Sequence, residues 1–216
     1  EIIQLLLENG ANVDAQNKDG WTALMYAGLY NRIDNVRLLL QRGADPNIRD
    51  SKSNTSLVHT GFKGVGPQRL DILRMLLENG ADPNIKNKDG WTVILDATNR
   101  GDIDIVRLLL ENGADPNIQT KDGWTALMYA THRGDIDIVR LLLERGADPN
   151  KRTEDGWTAL MYATDRGDID IVRLLLERGA DFNKQTKDDW TPLMYASHKG
   201  VGPQRLDILR MLLENG

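Results

Sequence analysis

Nine residues, DGWTALMYA, stand at 19–27, 122–130 and 155–163, with looser copies at 89–97 (DGWTVILDA) and 188–196 (DDWTPLMYA). Trp91, Trp124, Trp157 and Trp190 fall 33 residues apart. A step of 33 from Trp21 reaches Asn54 in NTSL, where other copies read WTAL, and the next step, to Trp91, is 37. The four extra residues lie in GVGPQRLDILR (64–74), which stands where other units carry GDIDIVR (101–107). The run GVGPQRLDILRMLLENG occurs at 64–80 and again at 200–216, an offset of 136 at which residues 1–80 align with 137–216 without a gap. A block of four units has been duplicated; concatenation by design is the other possible origin. A period of this size restricts the fold to stacked supersecondary units, because one unit alone cannot bury its own apolar face.

Residues 122–153 show what a unit forms. The Thr125 hydroxyl can accept from an orphan backbone N–H and cap a helix that runs through Leu127, Met128 and Ala130 to Gly134. Pro192 follows Thr191 in the last copy, at the first helical position that suits proline, and Gly134 permits a left-handed stop. About two turns of helix do not survive alone in water. A second helix, IDIVRLLLER, starts near Asp135 or Asp137, where negative charge suits the helix dipole. Asp137, Arg140 and Glu144 form one polar stripe, while Ile138, Val139, Leu141, Leu142 and Leu143 cover most of the rest, so the helix must be packed on several sides. The segment from Gly146 to Asp155 reads as an extended finger closed by a tight turn at Asp155–Gly156.

Several function classes are set aside by composition. The net charge of −5 argues against a broad polyanion-binding surface, and no nucleic-acid partner is expected. Cysteine is absent, which removes disulfides, thiolate metal sites and a cysteine nucleophile. No apolar run approaches the roughly 20 residues of a membrane span, so no membrane partner is expected. His59, His132 and His198 lie two or more units apart, too far to share one metal in a straight stack. No H-E-x-x-H, G-x-S-x-G or phosphate-loop pattern occurs. The expectation is a non-catalytic protein without a cofactor. The chain opens at Glu1 and is expected to be a piece of a longer one; its compartment is open, with the cytoplasm expected.

The period of 33, a turn followed by two antiparallel helices, the T-x-L openings and the G-A-D-x-N segments resemble the ankyrin repeat. The family's T-P-L-H-x-A opening keeps its Thr-Pro-Leu only at 191–193, and Met25, Met128, Met161 and Met194 stand where the family has histidine, to fill that place by packing. The resemblance implies an all-α solenoid of stacked helix-turn-helix units with β-hairpin-like finger loops. It would be a single array over 1–216: the second helix of a partial repeat at 1–13, then repeats near 14–46, 47–83, 84–116, 117–149, 150–182 and 183–216. Both ends read as uncapped. Leu5, Leu6 and Leu7, and Met211, Leu212 and Leu213, call for a neighbour, which allows end-to-end self-packing. The joint at 50–63 is expected to be the weakest, with Ser53 where others have glycine and Asn54 for tryptophan. Pro67 and Pro203 are expected to open the second helices of the two long units.

What the resemblance implies for function is a scaffold gripping a protein or peptide on a concave surface of fingers and first helices. Trp21, Trp91, Trp124, Trp157 and Trp190 would form an aromatic ladder there, either as partner anchors or as packing over the base of the next finger. Lys63, Arg100, Arg133, Arg166 and Lys199 form a basic column, which equally suits the C-terminal dipoles of the first helices. Asp19, Asp89, Asp122, Asp155 and Asp188 read as turn residues. Tyr30 and Phe62 are large side chains at expected surface sites, and Asp96 replaces a tyrosine with Arg100 one turn on. The partner would be acidic or mixed, with apolar anchors. The other reading is a purely structural or engineered array with no dedicated partner.

Overall fold

The structure is a computed structural model that describes residues 2–64, 66–198 and 203–215. Among these residues it holds thirteen helices and no strand: α1 (Ile2–Glu8), α2 (Ala23–Leu29), α3 (Ile33–Gln41), α4 (Ser56–Lys63), α5 (Arg69–Glu78), α6 (Val93–Arg100), α7 (Ile103–Glu111), α8 (Ala126–Arg133), α9 (Ile136–Glu144), α10 (Ala159–Arg166), α11 (Ile169–Glu177), α12 (Pro192–His198) and α13 (Pro203–Glu214). The chain divides into two compact units, residues 1–97 with 107–114, and residues 98–106 with 115–216.

In the first unit α2 packs on α3 and α4, α4 packs on α5, and α3 packs on α5. In the second, α8 packs on α9 and α10, α10 packs on α11 and α12, and α13 packs on α11 and α12. Within each unit, short first helices and longer second helices thus lie in two files. The circumferential apolar pattern of the second helices explains why: Ile138, Val139, Leu141, Leu142 and Leu143 are all buried, while Asp137, Arg140 and Glu144 are exposed. Each helix borrows its dry surroundings from the layers beside it. At the outer layers the same pattern leaves apolar area bare. Ile2, Leu5 and Leu6 are exposed on α1, and Leu213 on α13, whereas Leu212 is buried.

Local signals set the helix ends. Thr125 caps α8, its hydroxyl accepting from the Met128 N–H, and Gly134 ends the helix at φ 79°. Met128 completes a reciprocal cap, its sulfur accepting from the Thr125 N–H at 3.5 Å. Thr22 with Met25 and Thr158 with Met161 repeat the arrangement. The methionines at the family's histidine position therefore do more than fill space, since Met25, Met128 and Met161 are buried and also accept from the cap backbone; Met194 is half-exposed. α13 opens at Pro203, as expected. α5 does not open at Pro67: Gln68 is its N-cap and the helix begins at Arg69. The Arg69 guanidinium reaches back to the Thr60 and Gly61 carbonyls at the end of α4, as Arg205 at the start of α13 reaches the Thr164, Asp165 and Tyr195 carbonyls.

Finger tips are stitched by asparagine. The Asn150 side chain donates to the Gly179 carbonyl (2.9 Å) and accepts from the Asp181 N–H (2.7 Å), and Asn117 does the same with Gly146 and Asp148. Asn47 bridges Gly80 and Asp82 in the first unit. This is why the last residue of G-A-D-x-N is retained: it satisfies one donor and one acceptor of the following layer.

The finger turn favours glycine for two reasons, although Asp189 takes the place in the last finger at φ 59°. Gly123 has φ 81°, and a Cβ built there would lie 2.8 Å from the Thr153 Cα. The next finger comes this close because the Glu154 N–H donates to the Asp122 carbonyl at 2.9 Å. Ser53 occupies the same place at φ 63°, a conformation costly for a side chain with a Cβ. Ser53→Gly is expected to raise the unfolding free energy by about 1 kcal/mol, read as a higher denaturant midpoint at unchanged slope.

Candidate functional site

Each tryptophan leaves its finger on a fixed trajectory. In the second unit the Thr120 N–H donates to the Trp124 carbonyl (2.9 Å), the Gly123 N–H donates to the Thr120 carbonyl (3.0 Å), and the Thr120 hydroxyl accepts from the Trp124 N–H (3.1 Å). Thr153 and Thr186 hold Trp157 and Trp190 in the same way. In the first unit Asn17 and Asn87 supply the acceptor for Trp21 and Trp91. This hairpin-like turn is too short to count as strand, yet it aims every indole at the first helix.

There the indoles meet tyrosines. Trp124 stacks on Tyr129 of its own layer at 4.8 Å and meets Tyr162 of the next at 4.7 Å. Trp157 repeats this with Tyr162 (4.8 Å) and Tyr195 (4.4 Å), and Trp190 closes on Tyr195 (5.0 Å). His132 adds an edge to Trp124 and Tyr162. The second unit therefore carries a continuous file of rings, tryptophan and tyrosine in alternation. All five tryptophans are half-buried. Burial pushes the phenols of Tyr129, Tyr162 and Tyr195 up, so they remain protonated donors. The tyrosine column was not singled out from the sequence, although its 33-residue spacing was there to find.

In the first unit the same register gives a different pair. His59 stands at the tyrosine position and Asp50 at the turn-threonine position. His59 Nε2 lies 2.8 Å from Asp50 Oδ2, with 4% and 2% of the two side chains exposed. Trp21 lies over the imidazole at 3.9 Å. Asp50 also accepts from the Lys52 N–H, the Asn54 N–H and the Asn54 side chain. Burial alone would raise its carboxyl, but the hydrogen bonds from Asn54, Lys52 and His59 outweigh it and hold the group below the usual carboxylate range. Burial holds the His59 imidazole below its ordinary value, against the pull of Asp50.

The basic file is drawn into the stack. Arg133 donates to the Asn99 carbonyl (3.1 Å) and Arg166 to the His132 carbonyl (2.9 Å), each one layer back. Both side chains stay substantially exposed, as does Arg100, which lies 3.6 Å from Asp102. These cations satisfy carbonyls at first-helix C-termini as well as presenting charge. Lys63 is exposed and Lys199 lies outside the described residues. Tyr30 is 59% exposed and stacks parallel to Tyr26 at 6.4 Å; Phe62 is half-buried. The turn aspartates act through their backbone, the Asp19, Asp122 and Asp155 carbonyls accepting from the following finger. Among the described residues no cluster of three or more His, Cys, Asp or Glu is arranged to hold a metal, and no helix is long and apolar enough to cross a membrane.

Comparison with known proteins places this geometry. The family described as ankyrin repeats (3 copies) matches residues 1–50, 65–153 and 146–216. The chain is similar to the ankyrin repeat domain of Bcl-3, with TM-score 0.81 and 31% identity over 97% of this chain and 90% of that one. It is equally similar to an ankyrin repeat domain from Acinetobacter baumannii, with TM-score 0.81 and 32% identity over 89% of this chain and 97% of that one. Among curated relatives, a putative ankyrin repeat protein of Acanthamoeba polyphaga mimivirus is 47% identical over 60 residues, 26% of this chain and 10% of the relative. The human 2-5A-dependent ribonuclease is 42% identical over 65 residues, 30% of this chain and 9% of the relative. The matched segments thus span about a tenth of those relatives. Finger turns, paired helices and layer-to-layer stitching recur at one period across the matched residues, and the chain belongs to the ankyrin repeat family, whose fold is typically non-enzymatic and generally mediates protein–protein interaction.

Proposed function

We propose that the array is a non-catalytic scaffold that holds a protein or peptide partner along the fingers and first helices. The observation that carries this reading is the ring file: Trp124, Tyr162, Trp157, Tyr195 and Trp190 are in contact with one another yet each is only half-buried. Indoles fixed by stacking present contact area at little further entropic cost, which is what binding hot spots require. Exposed Arg100, Arg133, Arg166 and Lys63 on the first helices favour a partner with acidic groups beside its apolar anchors. Exposed Tyr30 extends the aromatic surface in the first unit.

The stacking itself favours a second reading, a spacer whose rings serve only the fold. A photo-crosslinking amino acid separates the two. It is placed at Tyr30 or Arg133 at the ends of first helices, or at Arg140 or Arg173 on second helices, all four being exposed. In extract of the native host, crosslinks to one discrete protein are expected from the first pair only. Equal capture from both pairs, or none from the first, overturns the proposal.

A further inference from the structure

The ring file has one place where both rings are replaced. The contact between the indole of one layer and the ring of the next is Trp124 to Tyr162 and Trp157 to Tyr195, at 4.7 and 4.4 Å. Its counterpart in the first unit is Trp21 to His59 at 3.9 Å. One layer later the register puts Asn54 and Asp96 at these positions, two short polar side chains. A cleft of about 470 Å³ opens there, within the range of small-molecule and side-chain pockets. Asn54 and Asp96 line it, Trp91 and Phe62 supply aromatic surface, and Lys52 and Lys63 face it with Asp89.

We propose that this cleft is a binding pocket for a tryptophan side chain of the partner. This rests on the reading of the array as a scaffold and names the anchor it would take. The geometry asks for a planar ring, because at the equivalent place in the Trp21–His59, Trp124–Tyr162 and Trp157–Tyr195 contacts a ring is what fills the space. The electrostatics ask for a neutral one, because Lys52 and Lys63 offset Asp89 and Asp96. The Asn54 side-chain oxygen is an acceptor in the lining, which suits an indole N–H over a plain hydrocarbon ring. An anchor seated between aromatic walls with one polar handle is the arrangement that gives hot spots their share of the binding energy.

The test uses N-acetyl-L-tryptophanamide as the probe and the isotope-labelled whole chain, so it does not depend on knowing the partner. Saturable shifts are expected at the Asn54 side-chain amide, the Trp91 indole N–H and the Lys63 backbone. Asn54→Trp restores the residue of the other layers and closes the cleft; it is expected to weaken binding at least tenfold in protein that still unfolds cooperatively, although it gives up the Asn54 side-chain hydrogen bonds to Asp50. Asp96→Tyr is a second, independent closure with the same expected result. N-acetyl-L-leucinamide is expected to bind about tenfold more weakly. Absence of saturable shifts at these positions, equal binding by Asn54→Trp, or tighter binding of the planar cation benzamidine would overturn the assignment. The crosslinking experiment above stands or falls independently, because it reports the face used and not the side chain inserted.

Discussion

Replacing Asp50 by alanine is expected to lower the unfolding free energy by about 3 kcal/mol, among the larger effects a single substitution produces. The carboxylate is buried and accepts from the Lys52 and Asn54 backbone, the Asn54 side chain and His59. Its removal leaves those donors dry and without their acceptor, and charge-assisted hydrogen bonds are the expensive ones to lose. The pair also makes stability fall with acid. The folded His59 imidazole lies below its unfolded value, so its contribution is complete above about pH 6.5 and declines as the pH drops below that. Asp50, also held below its unfolded value, contributes above about pH 3.9 and is lost as the pH falls further. Both signs point the same way. The double replacement Asp50→Thr with His59→Tyr installs the residues that the layers of Tyr129, Tyr162 and Tyr195 use. It is expected to flatten the pH dependence between about pH 7 and 5. Denaturant melts of both proteins across that range measure it, and an unchanged slope would remove the pair from the account.

Trp157→Ala is the second large effect. The indole lies between Tyr162 and Tyr195 at 4.8 and 4.4 Å, and its truncation strips both tyrosines of a packing face. A fully buried large aromatic costs about 3 to 5 kcal/mol on truncation; for a half-buried one about 2 to 3 kcal/mol is expected. Trp157→Phe keeps a ring in the stack and is expected to recover at least half of the loss. Had the tryptophans been contact residues alone, alanine would leave the melt where it is and alter only partner affinity. Urea titration followed at the remaining indoles distinguishes these outcomes.

How much of this was legible in the sequence follows from the range over which each signal acts. Helix starts at Thr125 and Pro192 and the stop at Gly134 depend on a few adjacent residues, so they can be read directly. The depth of the second helices was legible too, because five apolar residues round Ile138–Leu143 leave no other solution. Pro67 and Pro203 stand in identical local sequence, yet α13 opens at Pro203 and α5 two residues after Pro67, so adjacent residues alone do not set this start. The methionine caps were hidden because a thioether acceptor is a weak version of what Glu or Gln does there. The candidate site was half legible. Period 33 located the tryptophans and the basic residues, but the meeting of Trp124 with Tyr162 requires the phase of one layer on the next. The same holds for the Arg133 and Arg166 clasps. His59 and Asp50 were visible as differences at two columns, and only their 2.8 Å separation shows that they form a pair.

Neighbouring layers hold each other in order through the ring file. A double-mutant cycle on Trp157→Ala and Tyr195→Ala tests it most directly, since the two rings belong to successive layers and lie 4.4 Å apart. A coupling free energy of about 1 kcal/mol is expected, the loss in the double variant being smaller than the sum of the two single losses. Strict additivity, with no coupling beyond experimental error, would contradict it.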